Sequence, residues 1–438
     1  MSYKILSLDG GGSWALIQAR VLKDIYGDIE GHALLRQFDM VIANSGGSLV
    51  LASLCNNMKL SDIITVFESY YLRKQVFSEL TFLEKLTPNN ILSLLRRFTK
   101  MGPKYSTKRK LTGLVNVLKE YDTLKPNGKL IIETPLKDIP AIIKKESLQI
   151  IITGFDYFRE RVNFFRSNTK SEAAKFSNQY TGITLVYAIH ASSNAPVNYF
   201  DEPAEIEIEY PDDKRKTWFW DGAVAGFNNP VLAGLTEALT NNAVMAPGVT
   251  LQDYCILSIG TGTGSRAILT DYWNSTNPSI RAVYTKNINN PLVFTNSSIK
   301  FLHGVKKMAK SILSDPPDAA TFIAYAMLDP LLSNSANIVR INPCVEPVKN
   351  EAGLYVLPPA YEKDTDGLAK FIALLDLDMD AVKEEDVTLI TELCNKFIVT
   401  DTATCVPNQL IRGKKDGPFI LGQATYKEAK DKWVNHCK

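Results

Sequence analysis

The chain has 438 residues, of which 45% are hydrophobic and 22% are charged, and its formal net charge is +2. This composition is ordinary for a globular protein with a sizeable core, and it argues against intrinsic disorder. The nearly balanced charge argues against a dedicated binder of nucleic-acid polymers, which would carry a strong basic excess.

The six cysteines and four histidines show no pattern of a metal site or a disulfide framework. No CxxC pair occurs and the histidines are scattered, so neither a zinc site nor a metal cofactor is expected. The cysteine usage, the lack of a charged leader followed by an apolar stretch, and the lack of a run of 18 apolar residues predict a cytoplasmic protein. Any membrane contact, for example at the inner surface, would then be peripheral.

The chain opens with a strand, a glycine turn and a helix. Residues 3–8 (YKILSL) are a short apolar run typical of a buried strand, and residues 14–26 carry apolar side chains at helical spacing. Between them lies DGGGS at 9–13, and Gly27 predicts the end of the helix. Consecutive glycine N–H groups between a strand and a helix can hold an anion, either a phosphate or an acyl oxyanion.

This glycine turn lacks the spacing of the two common phosphate-binding loops. Trp14 and Ala15 follow the glycines, which excludes both G-x-G-x-x-G and G-x-x-x-x-G-K-[ST]. The pattern therefore favours an oxyanion hole made of backbone N–H groups, although a plain glycine turn has the same sequence.

A second strand, turn and helix follow at residues 38–56. The apolar strand FDMVIA leads into the turn NSGG, where Ser45 is flanked by Ala43 and Gly47. This is an A-x-S-x-G version of the nucleophile elbow, in which a tight turn demands small neighbours. The helix N-terminus would favour a developing alkoxide on the serine. A turn of small residues around an inert serine has the same pattern, so the elbow alone leaves both interpretations open.

Two further apolar runs, at 148–154 (LQIIITG) and 254–259 (YCILSI), predict more core strands. Strands that alternate with helices indicate an α/β fold with a mostly parallel central sheet, covered on both faces. Residues 60–145 are mainly helical and basic, typical of a solvated insertion or of a lid that meets a lipid surface. Its amphipathic stretch and the basic loop after it contain Leu92, Leu95, Arg96, Arg97, Phe98, Lys104, Lys108, Arg109 and Lys110.

Beyond about residue 286 the pattern is mainly helical again, and strands are hard to place. We expect a main domain at residues 1–340 that includes the helical insertion at about 60–145. A mainly helical C-terminal extension would follow at 341–438. No internal repeat or low-complexity tract divides the chain further.

Asp221 ends the aromatic run WFWD and precedes Gly222. Such an aspartate stands at a corner between a strand and a loop, where partial burial beside Trp220 would make it a poised general base. A Ser-His-Asp triad is the weaker alternative. His190 lies between the serine and the aspartate, whereas an α/β-hydrolase places its histidine last.

Together these motifs resemble the patatin-like phospholipase family. Any one of them is weak, but five in the family's order are specific. The resemblance spans about residues 3–265. The matching segments are DGGG at 9–12, the serine elbow after FDMVIA, AIHASSNAPVNYF at 188–200, DGA at 221–223 followed by NNP at 228–230, and LSIGTG at 257–262.

The resemblance implies a three-layer α/β/α sandwich and a Ser-Asp dyad. Ser45 would be the nucleophile and Asp221 its general base, with no histidine between them. The backbone N–H groups of Gly10, Gly11 and Gly12 would form the oxyanion hole. An acyl-enzyme on Ser45 would be hydrolysed by water, and no cofactor or metal would be needed.

The implied activity is hydrolysis of carboxylic esters of glycerophospholipids or of other acyl-ester lipids, with apolar residues of the 60–98 region lining an acyl channel. The chain departs from the family at three positions. The family usually has Gly where Ala43 stands, Thr or Ala where Gly46 stands, and Arg where Trp14 stands. Two alternatives therefore stay open. One is a weak or inactive patatin-like protein that binds lipid or a partner. The other is a phospholipase effector of bacterial antiviral defence that a cyclic nucleotide activates.

Overall fold

The computed structural model describes residues 2–87, 90, 93, 102–176, 180, 182–210, 213–246, 248–264, 266–268, 277–294, 316–399 and 421–437. The predicted amphipathic residues Leu92, Leu95, Arg96, Arg97 and Phe98 lie outside this part. Among the described helices, none is long and apolar enough to cross a bilayer.

The described strands form one large sheet and three short pairs. In chain order they are β1 (Tyr3–Leu8), β2 (Met40–Ala43), β3 (Gln149–Asp156), β4 (Arg161–Arg166), β5 (Ala204–Tyr210), β6 (Asp213–Asp221), β7 (Tyr254–Ile259), β8 (Thr263–Gly264), β9 (Ala267–Ile268), β10 (Val293–Phe294), β11 (Ile338–Ile341), β12 (Cys344–Val345), β13 (Val348–Lys349) and β14 (Tyr355–Val356).

The large sheet has the order β11-β7-β1-β2-β3-β6-β5, and β4 pairs with β3 off this path. The five strands from β11 to β3 pair in parallel, whereas β4, β5 and β6 join in antiparallel fashion. The outer strands pair as β9 with β10, β8 with β12, and β13 with β14. The parallel centre of the sheet brings the ends of β1, β2 and β7 to one edge.

Helices surround this sheet. In chain order the described α-helices are α1 (Leu16–Tyr26), α2 (Gly31–Leu35), α3 (Ser45–Cys55), α4 (Leu60–Glu68), α5 (Tyr70–Val76), α6 (Phe82–Lys85), α7 (Thr107–Glu120), α8 (Ile139–Ile143), α9 (Leu185–Ser192), α10 (Val231–Met245), α11 (Pro278–Asn287), α12 (Pro316–Leu328), α13 (Pro359–Glu362), α14 (Gly367–Asp376), α15 (Glu384–Val399) and α16 (Tyr426–Lys432).

The side chains of β1 show why the fold has three layers. Leu6 and Leu8 pack in a core shared with α1 and α3, whereas Ile5 packs in a second core shared with α10 and α12. Successive strand residues point to opposite faces, so a strand that is apolar throughout needs helices on both sides. The predicted α/β/α sandwich with a mostly parallel sheet is confirmed, and its C-terminal part is mainly helical.

Several predicted elements fall at their expected positions, and others shift. Strands β1 and β7 have the predicted bounds. Helix α3 begins at Ser45 and not at residue 48, because Gly46 and Gly47 let the helix start pack directly on the glycine turn. A short 3-10 turn, Gly12–Ala15, precedes α1.

The C-terminal third contributes to the main core and to the sheet. Strand β11 pairs in parallel with β7, in a region where the sequence placed no strand. Phe371 and Phe397 belong to the same core as α1, and the Trp433 ring stacks on Phe38 with 6.0 Å between centroids. The domain boundary near residue 340 stays a prediction. Helices after this boundary pack against the core that contains α1 and α3.

Candidate active site

Ser45 is the first residue of α3 and directly follows β2 and Asn44. Its φ is 47°, a left-handed backbone that non-glycine residues seldom adopt. A strained strand-to-helix turn is the geometry of the nucleophile elbow. Close packing holds it: a Cβ on Gly47 would lie 2.5 Å from the Leu8 oxygen, and one on Gly46 would lie 2.6 Å from the Gly12 oxygen. The glycines therefore let the elbow seat against the glycine turn.

The end of helix α9 supports the serine. The Ser45 N–H donates to Oγ of Ser192 over 2.9 Å, and Ser48 Oγ donates to the Ser45 carbonyl over 2.6 Å. Ser192 lies within the AIHASSNAPVNYF segment, to which the sequence assigned no individual role. The segment therefore contributes a direct contact to the candidate nucleophile.

Asp221 ends β6 and is 2% exposed. Its Oδ1 accepts from Asn44 Nδ2 over 3.0 Å and from the Ala223 N–H over 2.9 Å. The Ser45 side chain lies within hydrogen-bonding reach of the same carboxylate. The structure thus brings Ser45 and Asp221 together, although 176 positions separate them in the sequence (221 − 45).

Opposing effects act on the pKa of Asp221. Burial raises it above its ordinary value, and this is the largest effect. Hydrogen bonds from Ser45, Ala223 and Asn44, together with the positive charge of Lys110, lower it. A buried carboxylate with a raised pKa beside a serine hydroxyl has the properties of a general base.

The sequence motifs did not predict Asn44 and Thr153 as residues of the site. The Asn44 side chain accepts from Thr153 Oγ1 and donates to Asp221, so its amide orientation is fixed from both sides. Asn44 precedes the serine in the turn NSGG, and that position was the available signal. Thr153 lies inside β3 and gave none.

The three glycines of the turn take different positions. The Gly10 N–H donates to the Asn228 carbonyl over 2.8 Å, so this predicted oxyanion donor is engaged within the protein. Within the part of the chain that the structure describes, the N–H groups of Gly11 and Gly12 make no hydrogen bond. Gly12 lines one pocket with Ser45 and Gly46. Of the three predicted oxyanion-hole donors, the N–H groups of Gly11 and Gly12 therefore remain as candidates.

Two contacts from outside the turn fix its position. Thr261 Oγ1 donates to the Gly10 carbonyl over 2.6 Å. A Cβ added to Gly11 would lie 2.1 Å from this same Thr261 Oγ1. The Asp9 carboxylate is buried and accepts from both terminal nitrogens of Arg340, over 2.9 and 2.6 Å. Arg340 lies on β11, so the last strand of the sheet braces the first turn of the chain.

The pocket above Ser45 is mainly apolar, and Leu49, Val76, Phe77, Ala195, Phe200 and Met379 contribute to its walls. Val76 and Phe77 come from the 60–98 region, where the sequence predicted acyl-channel walls. Met379 comes from the C-terminal third. Apolar walls beside a candidate nucleophile suit a hydrocarbon chain.

A C-terminal loop at residues 377–382 covers one side of this pocket. The Met379 carbonyl accepts from the Ser13 N–H over 2.9 Å, and the Asp378 carbonyl accepts from Trp14 Nε1 over 3.1 Å. Asp380 accepts from Tyr105 Oη over 2.6 Å and pairs with Lys104. The loop is thus held on both flanks of the candidate site.

The described histidines lie apart from the dyad. Within that part, no histidine is hydrogen-bonded to Ser45 or Asp221, and no group of three or more His, Cys, Asp or Glu side chains could hold a metal ion. His32 Nε2 instead contacts the Cys55 carbonyl at 2.7 Å, and His190 is buried.

The chain is similar to one protein family and to several solved structures. A family model described as patatin-like phospholipase matches residues 6–235. Among solved structures, VipD from Legionella pneumophila is similar at 9% identity and a TM-score of 0.31, covering 89% of this chain and 67% of that chain. A chain from the complex of SpcU with ExoU, from the type III secretion system of Pseudomonas aeruginosa, shares 10% identity at a TM-score of 0.26, covering 75% of this chain and 53% of that chain. A search of curated protein sequences found no match.

Proposed function

Because the chain belongs to the patatin-like phospholipase family, we propose that it hydrolyses carboxylic esters of glycerophospholipids in a phospholipase A-type reaction. Family membership supports a lipid hydrolase. One observation carries the finer proposal: the buried Asp221 carboxylate lies within reach of a serine on a strained elbow.

The first half-reaction forms an acyl-enzyme. Asp221 takes the proton of Ser45 as the serine oxygen attacks the ester carbonyl. The N–H groups of Gly11 and Gly12 donate to the oxyanion of the tetrahedral intermediate. Asp221 then gives the proton to the leaving alcohol, and the acyl group remains on Ser45.

The second half-reaction releases the fatty acid. Asp221 takes a proton from water, the resulting hydroxide attacks the acyl carbonyl, and Ser45 leaves with the proton returned by Asp221. Two donors already occupy Oδ1 of Asp221, which leaves Oδ2 to exchange protons. No resident metal or organic cofactor takes part in these steps.

We also propose a peripheral membrane contact on α5 and α6. Tyr71, Phe82 and Leu83 are largely exposed there, with Lys74 and Lys85 on the same two helices. Exposed apolar side chains beside lysines suit the boundary of a lipid bilayer. Val76, the last residue of α5, and Phe77 directly after it line the pocket, so a bound lipid surface would lie close to the pocket entrance.

A gated form of the same activity is the second candidate. The loop at 377–382 closes over the pocket through contacts that do not involve the dyad. An activator that released the loop would increase access of a lipid to Ser45. A cyclic nucleotide is one activator to test.

The proposed activity is tested by fatty-acid release from mixed phospholipid vesicles. Ser45→Ala and Asp221→Asn are each expected to reduce release at least about a thousandfold, as for other catalytic groups that act as a unit. Ser53→Ala on the same helix and Asp62→Asn on α4 are the matched controls. Full release by Asp221→Asn would contradict the dyad.

The same assay separates the alternatives. If the wild type releases fatty acid only after a cyclic nucleotide is added, the gated form holds. If it binds vesicles but releases nothing from any lipid or soluble ester under either condition, the protein is a binding member of the family.

A further inference from the structure

The proposed mechanism gives no role to the buried ammonium group of Lys110. Lys110 of α7 is fully buried, although the sequence placed it in a basic loop. Its Nζ donates to the His190 carbonyl over 2.9 Å and to Asn194 Oδ1 over 3.3 Å. It also lies 4.5 Å from the centroid of the Phe200 ring. Burying an ammonium is costly, so a lysine at this place needs a compensating contribution.

The first contribution is positional. Lys110 donates to a carbonyl in the last turn of α9, where unpaired carbonyls and the helix dipole favour a positive charge. This chain segment also holds both members of the dyad. Ser192 accepts from the Ser45 N–H over 2.9 Å, and the Asn194 carbonyl accepts from the Asp221 N–H over 3.0 Å.

The second contribution is electrostatic. The attraction between Lys110 and Asp221 favours the charged form of both. Burial opposes it, since burial lowers the pKa of Lys110 and raises the pKa of Asp221. Burial, with Lys110 nearby, lowers the pKa of His190 well below its ordinary value, so the imidazole is neutral.

Helix α5 also packs closely on α7, and its charged side chains do not act on Lys110. Arg73 of α5 turns its guanidinium to the carbonyls of Phe67 and Val382. Among the described groups that act on Lys110, Asp221 is the one that carries a negative charge.

Building on the proposed function, we propose that Lys110 is a positioning residue that holds the Ser45–Asp221 pair through the end of α9 and keeps Asp221 ionised as the base. Burial favours the protonated form of Asp221, and the positive charge of Lys110 favours the carboxylate that can accept the proton of Ser45. The ammonium does not touch the substrate or the reacting atoms.

This role predicts a bell-shaped pH dependence of kcat/KM. The acidic limb reports protonation of Asp221, and the alkaline limb reports loss of the proton from Lys110. Since the two groups interact, both limbs belong to the pair. Arginine keeps its charge at all accessible pH values, so Lys110→Arg should abolish the alkaline limb and retain the acidic one.

The experiment measures kcat/KM against pH for the full chain on a soluble short-chain ester. Lys110→Gln keeps a donor for the His190 carbonyl but removes the charge. It should move the acidic limb to higher pH and lower kcat/KM at neutral pH about tenfold to a hundredfold, the range for one hydrogen bond to a charged group. Lys108→Gln, two positions away and 86% exposed, should leave both limbs unchanged.

Several outcomes would overturn the positioning role. A wild-type profile of kcat/KM against pH that has no alkaline limb would overturn the role before any variant is measured. A folded Lys110→Gln or Lys110→Arg protein with both limbs unchanged does so as well. If the wild type hydrolyses no ester or lipid at all, the proposed function fails and the role of Lys110 fails with it. An active wild type with unshifted variants refutes the role of Lys110 alone.

Discussion

Two regions of the chain meet at the candidate site and differ in what they supply. Residues 6–235, which match the family, contain the serine, the aspartate and the glycine turn. The region after residue 235 supplies contacts that brace and cover: Thr261 and Arg340 hold the glycine turn, and Met379 closes the pocket. The candidate reacting groups thus lie in the first region, and part of the support of the glycine turn and the cover of the pocket come from the second.

The difference indicates that the family motifs contain the candidate reacting groups but not all of the contacts that hold them in place. Asp9 is part of the DGGG motif, but its partner Arg340 lies 331 positions away. The Met379 carbonyl contacts Ser13, next to the oxyanion-hole candidates. Changes on either side of this division should therefore differ in kind as well as in size.

Among the changes that compare the two regions, the largest effect is expected from Gly12→Ala. Gly12 has φ of +58°, and a Cβ there would lie 2.3 Å from the Met379 oxygen, so the turn and the loop cannot both keep their places. Loss of one oxyanion donor costs about a hundredfold to a thousandfold in kcat. Fatty-acid release should fall by that amount.

Gly27→Ala is the matched control for that change. Gly27 also has a left-handed φ, of +77°, but no atom lies within 4 Å of an added Cβ, and the residue ends α1 away from the site. Its activity should match the wild type while stability falls by about 1 kcal/mol. Equal activity of the two alanine variants would contradict the glycine-turn assignment.

Arg340→Met tests the brace contributed by the second region. It leaves the Asp9 carboxylate buried without its ion pair, which costs about 3–5 kcal/mol of the free energy of unfolding. The turn should also lose its position, so kcat should fall about tenfold in the folded fraction. Chemical denaturation and kinetics at low temperature measure the two effects separately.

The double variant Asp9→Asn with Arg340→Met should regain part of the lost stability, because no carboxylate is then left buried and unpaired. Arg161→Met, at an exposed position on β4, is the control for losing an arginine. A single Arg340→Met variant as stable as the Arg161 control would show that the pair does not brace the turn.

The same two regions explain what the sequence could predict. Strands β1 and β7 were predicted because each is a short, mostly apolar run, and Ser45 and Asp221 were singled out because each stands in a local motif. Strand β11 was missed because its four residues, IVRI, include an arginine, which weakens the apolar signal. The roles of Asn44, Lys110 and Met379 depend on contacts between distant segments, which periodicity cannot reveal.

Asp380→Asn tests whether the loop at 377–382 limits access. Asn keeps the shape but removes the charge that Lys104 and Tyr105 contact. Loss of one hydrogen bond to a charged group would shift the loop toward its open form, so vesicle hydrolysis should rise by up to about tenfold. Asp376→Asn, just before the loop and exposed, is the control.

Acidification should act on the loop in the opposite direction to Asp380→Asn, because a protonated carboxyl is favoured by burial, whereas the NH2 group of asparagine faces the donors Lys104 and Tyr105. Burial raises the pKa of Asp380, and Lys104 lowers it in turn. With burial dominant, Asp380 in the closed loop takes up its proton at a higher pH than an exposed aspartate, so protonation favours the closed loop and vesicle hydrolysis should fall as the pH drops through that value. An Asp380→Asn rate equal to the wild type at every pH would remove the gated candidate.

The smallest effect is expected from replacing exposed leucines, one on the surface of each region. Leu83 on α6 is 76% exposed and Leu331, after α12, is 90% exposed, so the two leucines are matched in type and differ in location. If α6 dips into the bilayer, Leu83→Asp loses part of the burial of one leucine, about 1 kcal/mol, and hydrolysis of vesicles should fall about fivefold. Hydrolysis of a soluble ester should not change, because Leu83 does not line the pocket. Leu331→Asp should leave both rates unchanged. Equal loss in both variants would mean that charge on the whole protein, and not contact through α6, governs vesicle hydrolysis.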